Sequence, residues 1–216
     1  IGSGLFVRTM QAGMSADLGF DPDGVAIARV NLGLLEYEAP EATAFLDALR
    51  ARLGERPSIE VVSVSTRVPL QEGGARGFFA EVPGYEASPD EEMRIDLVAA
   101  SSGYFESLAM PILEGRPIGD GDVPGAQQVV VINRAMADRY WGESSPVGRT
   151  LLLGDQEMTV VGVAEDVSWS SLAEEPTNFV FYPLAMTADW TTGFVTVAVR
   201  TTGDPGEALT LLRAEM

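Results

Sequence analysis

The spacing of apolar residues predicts a helix at the start of the chain. Between Gly4 and Leu18, a large apolar side chain occurs at every fourth position: Phe6, Met10, Met14 and Leu18. Residues four apart lie on one face of a helix. This face would either pack into an ordinary core or continue a helix that rises from a membrane, and the pattern leaves both interpretations open.

A strand–helix–strand unit follows this first segment. Val25–Leu32 alternates as a strand does, and Ile59–Thr66 is rich in β-branched residues. Between them, Pro40 suits a first helical turn and Gly54 suits a helix end. The helix would bury one apolar face: Ala42, Phe45, Leu46, Leu49 and Leu53. Because a helix connects the two strands, we expect them to pair in parallel.

The remainder of the chain is dominated by short strand patterns. Residues 71–76 are polar and glycine-rich and predict a linker. The pair Gly154 and Asp155 predicts a hairpin turn. Seven segments have the pattern of a strand: Gly77–Val82, Met93–Ala100, Val129–Ile132, Thr150–Leu153, Glu157–Val163, Phe179–Tyr182 and Phe194–Arg200.

Capping residues predict three further helices. In each case a side chain that can accept a backbone N–H hydrogen bond precedes a helical pattern. The pairs of cap and helix are Ser101 or Ser102 before Tyr104–Ala109, Asn133 before Arg134–Trp141, and Asp204 before a helix that starts at Pro205.

The order of these elements predicts an α+β fold with two lobes. Residues 21–72 and 190–216 would form an α/β lobe from both ends of the chain. Residues 75–188 would form a β-rich lobe inserted between those two parts. Residues 1–20 would stand apart as a separate helix.

Three missing residue types limit the chemistry that the chain can perform. It contains no His, no Cys and no Lys, because all 14 basic residues are Arg. This composition excludes a thiolate nucleophile, an imidazole base, an ordinary zinc or haem site, a Schiff base and a P-loop lysine. Only carboxylate chemistry remains, as in a glycosidase, and sequence spacing alone does not locate a catalytic pair among 32 acidic residues. We predict no catalytic residue and no cofactor.

The charge of the chain argues against nucleic acid as a partner. The formal net charge is −18, which would repel a phosphate backbone. No apolar run approaches the ~20 residues needed to cross a bilayer. The chain begins at Ile1 and ends at Met216 within a helical pattern, so we expect both ends to be cut from a longer protein.

Two acidic turns contain part of the spacing of a calcium loop. One comprises Asp21, Asp23 and Gly24, and the other comprises Asp120 and Asp122. Neither is followed by the Glu that completes such a loop. Aspartate-rich turns without metal explain both segments, and we predict no metal site.

Four motifs follow one another between residues 101 and 183, and their order is more specific than any one of them. The motif residues are Gly103, Tyr104, Phe105, Leu108, Pro111, Leu113, Gly115, Arg116 and Asp122; then Val129–Asn133, Ala137, Arg139, Tyr140, Trp141, Pro146, Val147, Gly148, Arg149, Leu151 and Leu153; then Val160–Val163, Asp166 and Val167; and finally Pro176, Tyr182 and Pro183. The series resembles the MacB-like periplasmic core domain of bacterial ABC transporter permeases, in the FtsX-like permease superfamily. Gly4–Val7 is similar to the end of the first transmembrane helix in such permeases, and Phe20–Val25 to the entry to the first strand.

The resemblance implies a non-catalytic extracytoplasmic domain, periplasmic or extracellular, set between the first two transmembrane helices of a permease. It implies a porter-like α/β lobe, an inserted β-rich lobe and a membrane-proximal helix over residues 1–20. ATP would be hydrolysed on an ATP-binding cassette subunit or domain in the cytoplasm, and the transmembrane helices would pass that motion to the domain. The chain departs from the family in its short last helix, after which the segment that returns towards the membrane is missing.

The resemblance also implies an assembly and leaves other functions open. Such permeases work as dimers, although the excised domain would be a monomer, and a periplasmic or outer-membrane protein is a further possible partner. An alternative function is an envelope binding or regulatory module that serves a lipoprotein or a cell-wall hydrolase. A carboxylate-based glycosidase is the enzymatic alternative.

The motif residues also have structural interpretations. Glycines 103, 115, 148 and 162 suit turns or close backbone approach, and the aromatic motif residues would fill a small core. Arg116, Arg139 and Arg149 would either pair with Asp122 or Asp166 or simply solvate the surface. Trp169 and Trp190 would either contact a partner or pack across the junction of the lobes.

Overall fold

A computed structural model of the protein describes residues 6–9, 18–71, 76–169 and 176–216, and for residues 6–9 and 76 it describes the backbone alone. Eleven strands occur in these ranges: β1 (Phe6–Thr9), β2 (Val25–Asn31), β3 (Ile59–Ser65), β4 (Arg76–Glu81), β5 (Arg94–Ala100), β6 (Ile112–Gly115), β7 (Val129–Asn133), β8 (Thr150–Leu153), β9 (Gln156–Ala164), β10 (Phe179–Pro183) and β11 (Phe194–Thr201). The same ranges contain four α-helices: α1 (Ala39–Gly54), α2 (Tyr104–Ser107), α3 (Arg134–Trp141) and α4 (Pro205–Glu215). Short 3-10 helices occupy Gly33–Leu35, Leu184–Met186 and Ala188–Thr192. This content confirms the predicted α+β class.

All eleven strands belong to one mixed sheet, part of which closes into a barrel. The strand order is β1-β2-β11-β3-β5-β10-β7-β9-β8-β4, and β4 pairs in turn with β5. Strands β5, β10, β7, β9, β8 and β4 therefore form a six-stranded barrel, and β6 attaches to β9 at its side. The other four strands form an outer sheet that continues from the barrel wall. The division into two lobes with the boundaries given above stays a prediction.

The outer sheet corrects the predicted pairing of the strand–helix–strand unit. Strands β2 and β3 run in the same direction, as expected, but β11 lies between them and is antiparallel to both. Val197, at the middle of β11, pairs with Ala28 on one side and Val64 on the other. The direct parallel pairing was wrong because a strand from the far end of the chain fills the gap. Helices α1 and α4 cover one face of this sheet with a core that includes Leu46, Leu49 and Leu212.

The first described residues form a strand instead of the predicted helix. β1 pairs antiparallel with β2, with Phe6 opposite Arg29 and Thr9 opposite Ala26. The helix expected over residues 4–18 is therefore wrong for residues 6–9, and residues 10–17 lie outside the described residues. The free edge of β2 explains the difference, since pairing with β1 satisfies backbone N–H and C=O groups that would otherwise lie open. The spacing of apolar residues within this segment carries no information about an unpaired strand edge elsewhere in the fold.

Most of the other predicted elements are confirmed, and two details are corrected. Asn133 caps α3 by accepting the Met136 N–H at 3.4 Å, and Asp204 caps α4 by accepting the Gly206 N–H at 2.9 Å. The hairpin at residues 154 and 155 joins β8 to β9. Helix α2 is shorter than predicted, and its N-cap is Gly103 rather than Ser101 or Ser102. Strand β6 was not predicted, because its burial pattern has no inward-facing apolar alternation.

A buried core joins the outer sheet to the barrel. The aromatic side chains Tyr104, Phe105, Phe179 and Phe181 are at most 2% exposed and lie between the two parts. Val25 and Ile27 of β2 belong to the same cluster. Burying large aromatic side chains on both sides of a junction stabilises the relative position of the two parts. The barrel interior holds a separate cluster that includes Leu151, Met158 and Val160.

The sheet is narrowest where the outer sheet meets the barrel. β3 and β5 share one pair in register, Ser65 with Ala100. The Thr66 N–H donates to the Ala99 carbonyl at 2.9 Å, and the Ala99 N–H donates to the Thr66 hydroxyl at 3.1 Å. On the other side of the pair, the Val64 N–H donates to the Ser101 hydroxyl at 2.9 Å. Side-chain hydroxyls thus replace backbone carbonyls as acceptors at this crossing, which we call the β3–β5 bridge.

The β3–β5 bridge makes a prediction about stability. Replacing Thr66→Val keeps the shape of the side chain but leaves the buried Ala99 N–H without its acceptor. We expect a loss of about 1–3 kcal/mol in the free energy of unfolding, measured by urea denaturation. Thr150→Val is the matched control, because the Thr150 hydroxyl makes no hydrogen bond with the residues that the structure describes. Equal stability of the two variants would contradict the role assigned to the hydroxyl.

Candidate functional site

A cavity of about 220 Å³ lies where helix α1 faces the barrel. Leu46 from α1 and Pro183 from the end of β10 form part of its apolar wall. The opposite wall is the loop 117–123, which follows β6. The cavity lies at the same junction as the β3–β5 bridge, because Val64 and Ala100 also line it. It is the place where the outer layer and the barrel approach each other through polar side chains.

Arg50 links α1 to the barrel across this cavity. Its Nη2 donates to the Ser102 hydroxyl at 2.6 Å and to the Ser102 carbonyl at 3.2 Å. The Ser102 hydroxyl in turn donates to Asp120, whose carboxylate lies 3.9 Å from the same Arg50 nitrogen. Asp47, one turn earlier on α1, lies 3.9 Å from the other terminal nitrogen. We call Arg50, Ser102 and Asp120 the junction triad.

The loop that carries Asp120 is held by an ion pair that the sequence suggested. Arg116 donates to both carboxylate oxygens of Asp122, each at 2.8 Å, and the Gly119 N–H donates to Asp122 at 2.8 Å. Burial acts to raise the pKa of Asp122, but these hydrogen bonds outweigh it and the pKa lies below its usual value. The pairing of Arg116 with Asp122 is confirmed. It fixes the loop in a geometry that presents Asp120 to Arg50.

Two motif glycines position the strand before this loop. A Cβ added at Gly115 would stand 2.1 Å from the Val161 carbonyl oxygen, and one added at Gly162 would stand 2.2 Å from the Arg116 carbonyl oxygen. These distances are far too short for any side chain. Gly115 and Gly162 therefore allow β6 to cross close against β9, and this crossing directs the chain into the Arg116–Asp122 loop.

Asn133 and Asp166 join three barrel elements. The Asn133 amide donates to the Asp166 carboxylate at 2.5 Å and to the Thr177 carbonyl at 2.8 Å, and its oxygen accepts the Phe179 N–H at 2.8 Å. Burial raises the pKa of Asp166, although the Ala135 N–H and the Asn133 amide donate to it. No Arg bonds to this carboxylate among the described residues, so the suggested pairing of an Arg with Asp166 is wrong.

Arg139 bonds to a different acid from the two that were considered. Its Nη2 donates to Glu91 at 2.6 Å, and the Tyr85 hydroxyl donates to the same carboxylate oxygen at 2.6 Å. Tyr85 packs edge-to-face on Tyr140, with 4.8 Å between ring centroids. These contacts hold the acidic loop between β4 and β5 against α3. Arg149 is exposed, and the structure gives it no ion pair among the described residues.

The remaining motif residues lie at turns or in the cores. Tyr104 is fully buried, and its hydroxyl donates to the Arg67 carbonyl at 3.0 Å. Trp141 packs edge-to-face on Tyr140, and the Tyr182 hydroxyl donates to Gln128 at 3.1 Å. Three other residues occupy turns or chain crossings: Gly103 before α2, and Pro146 and Gly148 before β8, where the Gly148 N–H donates to the Val160 carbonyl at 2.8 Å.

The two tryptophans considered as partner contacts pack between structural parts. Trp169 is 4% exposed and stacks on Phe179 at 4.2 Å between centroids, within the core that joins the outer sheet to the barrel. Trp190 packs against both the outer core and the barrel core. Packing across the junction is therefore the correct interpretation for both residues.

The acidic turns contain hydrogen bonds in place of metal geometry. The Asp21 carboxylate accepts the Asp23 N–H at 2.9 Å, and Asp122 is occupied by Arg116. Within the ranges that the structure covers, no three acidic side chains gather as metal ligands would. Over the same ranges, no helix combines the length and apolarity that a bilayer crossing requires.

Comparison with known proteins decides the family. The MacB-like periplasmic core domain family matches residues 1–215 of this chain. The chain belongs to this family. It is therefore a periplasmic or extracellular domain of the kind found in MacB-type ABC transporter permeases. The resemblance drawn from the motifs between residues 101 and 183 is confirmed.

Individual relatives of this MacB-like domain match it over part of its length. The macrolide export ATP-binding/permease protein MacB of Hahella chejuensis is 32% identical over 77 residues, which are 35% of this chain and 12% of the relative. MacB of Neisseria gonorrhoeae is 31% identical over 72 residues, which are 33% of this chain and 11% of the relative. The matched segment thus covers about an eighth or less of the length of these curated relatives.

Two solved structures share the fold of the MacB-like domain. The periplasmic region of MacB from Actinobacillus actinomycetemcomitans has a TM-score of 0.53 and 18% identity, covering 77% of this chain and 72% of that one. The extracellular domain of the ABC-type transporter YknZ from Gram-positive bacteria has a TM-score of 0.51 and 20% identity, covering 76% of both chains. At these identities the comparison supports the fold alone.

The junction triad was not predicted from the sequence. In the sequence, Arg50 lies between Leu49 and Leu53 of the predicted helix. Its position along the helix does not distinguish it from an arginine that is simply exposed to solvent. Asp120 was considered only as part of a calcium-like turn. Its contact with Ser102 joins residues 18 positions apart in different elements.

The Glu91 contacts make a prediction about acid stability. Hydrogen bonds from Tyr85, Arg139 and the Ser88 N–H lower the pKa of Glu91 from 4.5 to about 2. Because the pKa of Glu91 is lower in the folded than in the unfolded state, its carboxylate contributes its full stabilisation above pH about 4.5. This contribution disappears as the pH falls towards 2. We expect the difference in urea midpoint between the wild type and Glu91→Gln to be constant above pH 5 and to shrink below pH about 4. A difference independent of pH from 6 to 2.5 would contradict this assignment.

Proposed function

We propose that this protein is a non-catalytic domain that couples cytoplasmic ATP hydrolysis to the handling of a substrate or a partner protein outside the membrane. Membership of the MacB-like family supports this function, and the matched relatives are named as fused ATP-binding/permease proteins. The partners would be the transmembrane helices of its own permease and an ATP-binding cassette subunit or domain. The work of the domain would be mechanical.

A continuous hydrogen-bonded sheet is the observation that carries this proposal. The sheet runs from β1 through β2, β11 and β3 to the barrel without a break. A force applied at β1 or at α4 would reach the barrel through the β3–β5 bridge and the aromatic core behind it. The first element of this path is strand β1, at residues 6–9, where the sequence had predicted a helix.

The packing favours transmission by one rigid unit over hinging between two lobes. Packed interiors deform little and transmit displacement, and the core around Tyr104 and Phe181 spans both parts. The junction triad adds a polar contact next to the bridge, where Arg50 bonds to Ser102. The outer layer and barrel are therefore held together at three places: the bridge, the core and the triad.

Removing the hydroxyl acceptors of the β3–β5 bridge tests this mechanism in the intact transporter. We expect the double variant Thr66→Val, Ser101→Ala to retain ATP hydrolysis and to transport less substrate per ATP, because it leaves two bridge N–H groups without acceptors. The assay measures transport and ATP hydrolysis in the same vesicles. Unaltered coupling in a variant that remains folded would overturn the mechanical proposal and favour a passive binding module.

A cross-link supplies the control for lost stability. This chain has no Cys, so Asp47→Cys and Asp120→Cys would introduce its only thiols, on α1 and on the barrel loop. Both carboxylates lie 3.9 Å from Arg50 nitrogens, so a short bis-maleimide reagent would span the pair. We expect this cross-link to leave coupling unchanged in the otherwise unaltered domain and to restore coupling in the double variant Thr66→Val, Ser101→Ala. Loss of coupling on cross-linking alone would instead indicate that the two parts must move against each other.

A further inference from the structure

A second cavity opens at one end of the barrel, and none of the residues that line it belongs to the junction triad. Its volume is about 460 Å³, within the range of small-molecule sites, and mouths of β-barrels are frequent places for such sites. Leu97 and Tyr182 form its floor from inside the barrel, and Leu153 and Gln156 flank the β8–β9 turn. Residues 186–190, between β10 and β11, close the other side. We call this space the barrel-mouth cavity.

The apolar wall of the barrel-mouth cavity is aromatic. The rings of Phe78 and Trp190 lie nearly parallel, at 24° and 6.2 Å between centroids, and Met186 lies beside them. Phe78 and Trp190 are both only half-buried. Such a wall favours a ligand with a flat apolar body, and the negative faces of aromatic rings attract cations.

The polar groups of the cavity select the sign of the ligand's charge. The hydroxyls of Tyr182 and Thr187 donate to Gln128 and to the Leu184 carbonyl. Asp189 is the one charged side chain among the residues that line the cavity, and it makes no ion pair with another described residue. With a net charge of −18 on the chain, the local and the overall fields have the same sign. An anion would be repelled from this wall, and a cation would be attracted.

We propose that the barrel-mouth cavity binds a small organic cation that has a flat apolar or aromatic body. The body would lie against Phe78 and Trp190, and the cationic group would lie near Asp189. The 3-10 segment that carries both Asp189 and Trp190 continues to Thr191, whose hydroxyl is 3.4 Å from the Ala39 carbonyl of α1. A bound cation would thus contact the segment that connects the barrel to the outer layer. This site is independent of the proposed mechanical function.

Binding of matched naphthalene probes to the 216-residue protein tests this proposal. The probes are 1-naphthylmethylammonium, 1-naphthalenemethanol and 1-naphthoate, which share the ring system and differ in charge. Titrations are followed by the indole N–H signals of the three tryptophans in ¹H–¹⁵N spectra, with Trp190 assigned from its loss in Trp190→Phe. We expect a saturable shift of the Trp190 signal with the cation, weaker binding of the neutral probe, and no binding of the anion.

Charge variants make the test specific for Asp189. Asp189→Asn should weaken binding of the cation about fivefold, the size expected for a largely exposed ion pair, and should leave the neutral probe unchanged. Asp90→Asn removes the same charge from an exposed loop outside the cavity and should change neither affinity. Equal binding of cation and anion, equal effects of the two variants, or no saturable shift at Trp190 up to millimolar concentration would each overturn the proposal. None of these outcomes bears on ATP coupling.

Discussion

The fold depends on the short crossing at which strand β3 passes from the outer sheet to the barrel strand β5. One residue pair in register, Ser65 with Ala100, would be a weak joint by itself. Hydroxyls of Thr66 and Ser101 supply the missing acceptors, so that buried N–H groups on both sides of the pair remain bonded. The aromatic core packs against both the outer sheet and the barrel, so separating the two parts would expose buried apolar surface. The eleven strands of the described residues form one sheet because the buried N–H groups at this narrow crossing all have acceptors.

Close backbone approach plays a similar part on the other side of the barrel. Gly115 and Gly162 let β6 cross against β9, and the chain then turns into the loop held by Arg116 and Asp122. That loop presents Asp120 to Ser102 and Arg50. Family-motif residues thus build the wall on which the junction triad depends, although Arg50, Ser102 and Asp120 themselves belong to none of the motifs.

The family and the proposed function of the domain rest on different observations. Membership rests on a match over nearly the whole chain, whereas the curated relatives extend far beyond the part that it covers. The domain offers a stiff path from its first strand to its barrel, which suits mechanical coupling. The barrel-mouth cavity is a separate feature, because none of its lining residues belongs to the junction triad or lines the cavity beside it.

The sequence by itself determined most helices and strands, the caps at Asn133 and Asp204, and the family, since each depends on residues that are neighbours along the chain. It also excluded thiol, imidazole and lysine chemistry by composition. Only the tertiary structure decided that β11 separates β2 from β3, that residues 6–9 form an edge strand, that Arg139 bonds to Glu91, and that Arg50 meets Asp120. These contacts join residues that lie from 17 positions apart, as Thr9 and Ala26 do, to 175 positions apart, as Val25 and Arg200 do. Local periodicity contains no information about such pairings, because sheet order and loop contacts are set by long-range packing.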